Sequence, residues 1–542
     1  MQLLSSLALA GLLSQLGQAS PVFETRQSGS FSNPVIFQDL PDIDILRVGD
    51  VFYYSSSTFA YSPGAPIWKS YDLVKWYPVG HSVPTLDFGS AYDLTNGQSA
   101  YVGGIWASTL RYRESDDTFY WMGCIQEGKT YVYTSPGNGA LENGGDVDNW
   151  DWSLQGTIDS CYYDNGLLFD DDDTPYVVYG RYDIKVAQLS PDGLSEVRSE
   201  VVFSSTDVYL EGSHLYKAKG YYWIVPTKVA SGEWVLRSES IWGPYEEREL
   251  FDSVPGPLSN AGWAHQGGMV EAQDGSWHYL AFLDAYPAGR IPVLAPMEWS
   301  NDNWPSMVLD NGSWGVNYPV PVDTTKSVPD FPETDDFSTG ALSPFWEWNH
   351  NPDTSAFSFA EGGGLVLKTA TVTDNIYWAR NTLTHRINGP KAEAIFELDI
   401  SQLANGDRAG AALFRDESAY IAVQKGSSGS EFIYVTGANL DQNGWKPVNA
   451  GSVQASAAVP GDASTVYFRI EVDVTPAFNQ PRSRATSFSY STDGSTWTVL
   501  GDDYLLTNIW QFFSGYRFAV FNFATEALGG QVTLKSFTTR NI

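Results

Sequence analysis

Five short stretches decide the fold: Asp50-Val51-Phe52-Tyr53-Tyr54, Asp117-Thr118-Phe119-Tyr120-Trp121, Asp173-Thr174-Pro175-Tyr176-Val177, Lys219-Gly220-Tyr221-Tyr222-Trp223 and Gly275-Ser276-Trp277-His278-Tyr279. Each is a turn running into an aromatic strand. Their fourth positions are Tyr53, Tyr120, Tyr176, Tyr222 and His278, spaced 67, 56, 46 and 56 residues apart. A repeat of that length, each unit a small antiparallel sheet, is the pattern of a β-propeller. Five copies predict five blades over residues 31–322.

In such a blade the strand before the aromatic hairpin is the innermost and lines the axis. Counting back 11 to 14 residues from the fourth positions reaches Asp42, Trp106, Asp164, Glu211 and His265. The register predicts that these five side chains converge on one axial pocket. Three carboxylates, an indole and an imidazole would then share a small volume.

Working outward, residues 323–335 read Asp-Thr-Thr-Lys-Ser-Val-Pro-Asp-Phe-Pro-Glu-Thr-Asp, a linker composition. Residues 336–542 alternate in the manner of strands, as in Gly364-Leu365-Val366-Leu367-Lys368 and Ala394-Ile395-Phe396-Glu397-Leu398. This predicts a C-terminal β-sandwich of the jelly-roll, concanavalin-like kind. The Tyr490-Ser491-Thr492-Asp493-Gly494-Ser495-Thr496-Trp497 hairpin fits it. The chain therefore reads as all-β.

Leu3 to Leu16 is an apolar run followed by Gly17-Gln18-Ala19. It reads as a signal peptide, residues 1–19, cleaved after Ala19, with 20–30 a short propeptide or linker. The run is too short for a comfortable membrane span. The expected location is secreted and extracellular. Asn311-Gly312-Ser313 is a glycosylation sequon. Cys124 and Cys161 are the two cysteines; a disulfide and two buried thiols both suit the sequence.

Across 542 residues, 31 Lys+Arg against 64 Asp+Glu give a net charge of −33. That excess disfavours nucleic acid, which is bound by neutralising phosphates, and anionic membrane surfaces. A hydrophobic content of 43% is ample for large cores and excludes general disorder. A neutral, soluble substrate and a monomeric protein are expected. The Asp170–Asp173 run lacks the Gly and Glu spacing of a calcium loop and reads as a charged turn.

Glycoside hydrolysis needs two carboxyl groups flanking the scissile bond, one protonated and one ionised. A third nearby can raise the acid's pKa and orient it. Asp42, Asp164 and Glu211 supply three. Leu40-Pro41-Asp42-Ile43-Asp44, Gly104-Ile105-Trp106-Ala107-Ser108, Tyr163-Asp164-Asn165-Gly166 and Tyr209-Leu210-Glu211-Gly212-Ser213-His214 resemble the motifs of glycoside hydrolase family 43. Asp336-Phe337 and Trp346-Glu347-Trp348-Asn349-His350-Asn351-Pro352 resemble the start of the sandwich in its xylosidase and arabinofuranosidase branches. The resemblance implies inversion, with Asp42 as general base, Asp164 as pKa modulator and Glu211 as general acid. Where the family has Pro after the base, this chain has Ile43. The repeat spacing and Pro41 favour Asp42 over Asp44.

The resemblance also makes Arg290 a substrate contact, with a surface arginine as its alternative. His265, in Ala264-His265-Gln266-Gly267-Gly268, becomes the axial histidine near a cation or water, with a pore-filling role as its alternative. Phe59 and Trp106 stand equally for pocket wall and core. No cofactor is required; a structural calcium or sodium ion near the axis is compatible. The implied activity is removal of α-L-arabinofuranosyl side chains from arabinoxylan, with exo-β-1,4-xylosidase action on xylo-oligosaccharides second. A non-catalytic sugar-binding propeller is the rival of another class.

Overall fold

The computed structural model describes residues 29–542; the signal segment and most of the residue 20–30 segment lie outside the described residues. Five four-stranded antiparallel sheets follow one another, each in plain sequence order. Their first strands are Asp44–Val48, Thr109–Arg113, Gly166–Phe169, Leu210–Ala218 and Ala264–Glu271. These line the axis in turn, the first strand of blade five packing on that of blade one and on the second and third strands of blade four. Their second strands are Val51–Ser55, Thr118–Ile125, Pro175–Tyr179, Tyr221–Lys228 and Trp277–Asp284, which carry the five aromatic stretches. The protein is a five-bladed β-propeller followed by a concanavalin-like sandwich. Among the described residues the helical elements are two short 3-10 turns, Ser90–Asp93 and Ile376–Trp378.

The aromatic stretches build the blade cores. Tyr53, Tyr54, Trp121, Trp223 and Tyr279 are almost wholly buried, and edge-on contacts such as Tyr53 with Phe119 and Trp223 with Trp304 fill the space between sheets. A short strand at Ser30–Ser32 pairs with Asn317–Pro319, tying the start of the propeller to its end. Cys124 and Cys161 form a disulfide within blade two and its exit. The acidic run is a charged turn: Asp170 meets Lys217 and Tyr222, and Asp173 meets Arg113.

The sandwich has a nine-stranded and an eight-stranded sheet. Strands Lys391–Asp399 and Thr465–Asp473 alternate inward Ala392, Ala394, Phe396 and Leu398 with inward Val466, Phe468, Ile470 and Val472. The facing sheet supplies Ala409, Ala411, Leu413, Ile421 and Val423, closing one core. Thr334–Asp335, inside the linker-like segment, already pairs with Gln531–Asn541.

The two domains share a sheet. Tyr61–Ser62, from blade one, pairs with Trp346–Asn349 at the edge of the eight-stranded sheet. Around that seam Glu347, fully buried, accepts hydrogen bonds from Arg386 (2.7 Å) and Arg517 (2.5 Å) and faces His81 of blade one (3.0 Å). Asn351 hydrogen-bonds the backbone of Leu86 and the carboxylate of Asp93. His350 Nε2 accepts the Ala100 N–H at 2.9 Å. The sandwich thus braces the 84–106 loop, which leads to Trp106.

Candidate active site

At one end of the axis lies a cavity of about 170 Å³. Asp42, Phe59, Trp106, Asp164, Glu211 and Arg290 line it, together with Val102, Ala107, Tyr163, Gln266 and Phe513. Six of the seven site residues expected from the sequence therefore meet. The seventh, His265, does not line the cavity; its neighbour Gln266 does. A bulge between His265 and Gly268 and a left-handed backbone at Gln266 (φ 41°) bring residue 266 to the wall.

Several lining residues leave regular geometry. Asp42, Phe59 and Asp164 have φ of 54°, 54° and 49°. Non-glycine residues in this region are strained, and such strain clusters at functional sites. Here it is held by local bonds. Phe59 and Ile105 exchange backbone hydrogen bonds of 2.9 and 3.1 Å, which fixes Phe59 beside the segment carrying Trp106. The Trp106 Nε1–H donates to Val102 O at 2.8 Å. Glu211 stands on the first strand of blade four beside a second bulge, between Glu211 and His214.

The carboxylates differ in their surroundings. Asp42 is buried and paired with Arg290, whose Nη1–H donates to Oδ1 at 2.7 Å. Asp164 is buried without such a counter-charge at hydrogen-bond distance; burial, then the charges of Glu211 and Asp42, push its carboxyl well above the usual range. Burial also raises Glu211, helped by the Asp42 charge. Tyr209 and Tyr163 act the other way by hydrogen bonding to it, Tyr163 OH lying 3.2 Å from Oε2. Asp164 and Glu211 thus hold their protons more tightly than isolated carboxyls, beside Asp42, which is matched to a guanidinium. That is the division of labour acid–base hydrolysis requires.

Asp44 is excluded from the cavity. It is fully buried below Asp42, bound by Arg111 Nη1 (2.6 Å) and the Leu110 N–H (2.7 Å). The Arg111 charge holds its carboxyl far below the usual range. It is a structural anchor for the first two blades.

Phe513 comes from the sandwich. It stacks on Phe59 with centroids 6.0 Å apart, and the Arg290 guanidinium lies 5.6 Å and 5.7 Å from the two rings. Nothing in the sequence periodicity pointed to it, because it arrives from a loop more than 200 residues beyond the last blade strand. Tyr163 was legible only as the neighbour of Asp164.

His265 sits behind this wall. Its Nδ1 meets Trp263 O at 3.0 Å, and Nε2 lies 3.9 Å from Asp284 Oδ2. Among the described residues no three His, Cys, Asp or Glu side chains gather to hold an ion directly. The residues present do not fit a directly coordinated cation, so no chemical step is carried through one.

Residues 31–305 match the model of glycosyl hydrolases family 43. The chain belongs to that family. Residues 334–540 match the β-xylosidase C-terminal concanavalin A-like domain. A solved structure described as a family 43 glycoside hydrolase, with an active site engineered to give both endo-xylanase and exo-arabinofuranosidase activity, is 52% identical. It covers 95% of this chain and 100% of its own, with a TM-score of 0.93. A β-xylosidase of Formosa agariphila is 27% identical over 94% of this chain and 90% of its own. A non-reducing end α-L-arabinofuranosidase of Bacteroides ovatus is 32% identical over 63% of this chain and 66% of its own. The protein is a glycosidase.

Proposed function

We propose that this glycosidase is a secreted, monomeric, inverting enzyme that removes α-L-arabinofuranosyl side chains from arabinoxylan. The observation that carries this reading is the small axial cavity, open to solvent on one side, where three carboxyl groups meet between Phe59, Trp106 and Phe513. A space of about 170 Å³ between rings from both domains suits one terminal sugar better than a polymer running through it. Glu211, kept protonated by burial and the Asp42 charge, donates to the leaving oxygen. Asp42, set by Arg290, takes a proton from the attacking water. Asp164 orients Glu211 and helps retain the proton. Arg290 and the aromatic walls hold the sugar. No cofactor enters the scheme; a calcium or sodium ion at the axis would meet His265 through water.

The 52% identity to a structure described with exo-arabinofuranosidase activity supports the arabinose reading. Exo-β-xylosidase action on xylo-oligosaccharides is the second reading, supported by the relative from Formosa agariphila. The test is chromatography of sugars released from arabinoxylan and, separately, from xylo-oligosaccharides, with Glu211→Gln run in parallel. Arabinose alone is expected, with the variant inactive yet still binding sugar. Xylose from the oligosaccharides selects the second reading. Near-normal activity of Glu211→Gln overturns the acid assignment.

A further inference from the structure

Asp39 lies three residues before Asp42, is buried, and does not line the cavity. Its two carboxylate oxygens serve different domains. Oδ1 accepts the backbone N–H of Arg290 at 2.7 Å, in blade five. Oδ2 accepts the backbone N–H of Gly515 at 2.8 Å, in the sandwich. The chain is shaped to permit this meeting. A Cβ on Gly289 would stand 2.3 Å from Asp39 Oδ1, and one on Gly515 would stand 2.0 Å from Ala288 O.

Both tethered segments carry cavity groups. Arg290 reaches Asp42 through Nη1 and donates from Nε to Phe513 O at 3.1 Å. Phe513 lies two residues before Gly515. The contacts close a ring from Asp39 through Arg290, Phe513 and Gly515 back to Asp39. The far side of that loop is gripped by Arg415, fully buried, which donates to Ser514 O (2.7 Å) and Ile509 O (2.6 Å) while pairing with Asp416 (2.6 Å).

We propose that Asp39 is a positioning residue for the hydrolysis. It fixes Arg290 against Asp42 and Phe513 over the bound sugar by tying both backbone segments to one carboxylate. A carboxylate is suited to this because both partners are N–H donors. An amide satisfies one and turns an NH₂ toward the other. Displacing aligned groups by on the order of 1 Å costs about 10²-fold in rate.

The inference rests on the cavity being the catalytic site. The test uses the full chain carrying Asp39→Asn or Asp39→Ala. It measures kcat and KM on the oligosaccharide the wild type cleaves, and hydrogen exchange by peptide. The expected result is a kcat lowered about tenfold in Asp39→Asn and further, towards 10²-fold, in Asp39→Ala, with KM changed much less. Exchange should quicken in peptides spanning 286–291 and 509–516 while the rest of both domains keeps its protection. Where Asp39→Ala does not fold, Asp39→Asn carries the test. A kcat within about twofold of wild type in the folded variants overturns the proposal. So does exchange that rises evenly throughout the molecule, which would make Asp39 a residue of global stability. Failure of the catalytic-site reading is separately visible as an active Glu211→Gln, whatever the exchange pattern shows.

Discussion

Replacing Glu347 by Gln probes the seam between the domains. Glu347 is fully buried and faces three groups: Arg386 at 2.7 Å, Arg517 at 2.5 Å and His81 at 3.0 Å. Hydrogen bonds to charged groups contribute about 1.5–3 kcal/mol each, so two guanidinium contacts set a gross interaction of about 3–6 kcal/mol. Desolvation of the carboxylate offsets part of that in the native protein. The variant leaves two buried guanidinium groups without their counter-charge and with one amide oxygen as acceptor between them, beside the bonds Arg386 keeps to Asp39 O and Arg517 to the Thr384 hydroxyl. Breaking a buried ion pair from one side costs about 3–5 kcal/mol, and that is the expected loss at pH 7. The pH dependence gives a second check. The two arginines hold the Glu347 carboxyl far below its ordinary value. Its contribution is present above the unfolded pKa of about 4.3 and lost as pH falls through the lower folded value. The gap between wild type and variant should therefore narrow as pH drops below about 4. Denaturant unfolding followed by tryptophan fluorescence measures both. A loss below about 1 kcal/mol at pH 7, or a gap that does not change with acid, refutes the reasoning.

Tyr163→Phe removes the hydroxyl 3.2 Å from Glu211 Oε2, a contact that favours the ionised acid. The alkaline limb of the kcat/KM profile should move to higher pH; a limb that stays or moves down contradicts the acid assignment. Reducing the Cys124–Cys161 bond, which spans 37 residues, should lower stability by about 3–4 kcal/mol in the chain-entropy account, read as a shifted denaturation midpoint with and without reductant.

The propeller and the depth of its carboxylates were legible because both follow from one spacing. Each blade puts its axial residue at nearly the same distance before an aromatic strand, so Asp42, Trp106, Asp164 and Glu211 could be reached by counting. Counting assumes an unbroken register. It points to His265, whereas the bulge after it carries Gln266 to the cavity instead. Phe513 has no periodic relation to any blade and enters by domain packing, which a linear pattern does not encode. The choice between Asp42 and Asp44 rested on Pro41 and spacing; Arg111 supplies the physical reason, since it sequesters Asp44 beneath the floor. The cysteines were ambiguous because burial and oxidation both suit the sequence; only the fold brings the end of the second strand, with Cys124, beside the exit of the outermost strand, with Cys161.

The two-residue strand Tyr61–Ser62 makes the domains inseparable as building blocks. Cutting the chain in the 323–335 segment would leave Trp346–Asn349 as a bare sheet edge on one fragment, ready to recruit a strand from a neighbouring molecule. The other fragment would keep its three carboxyl groups but lose the Phe513 lid and the 509–515 anchor. The boundary a gene would use for shuffling domains therefore runs through the middle of a single sheet and a single pocket, and each half inherits only as a pair with a compatible partner.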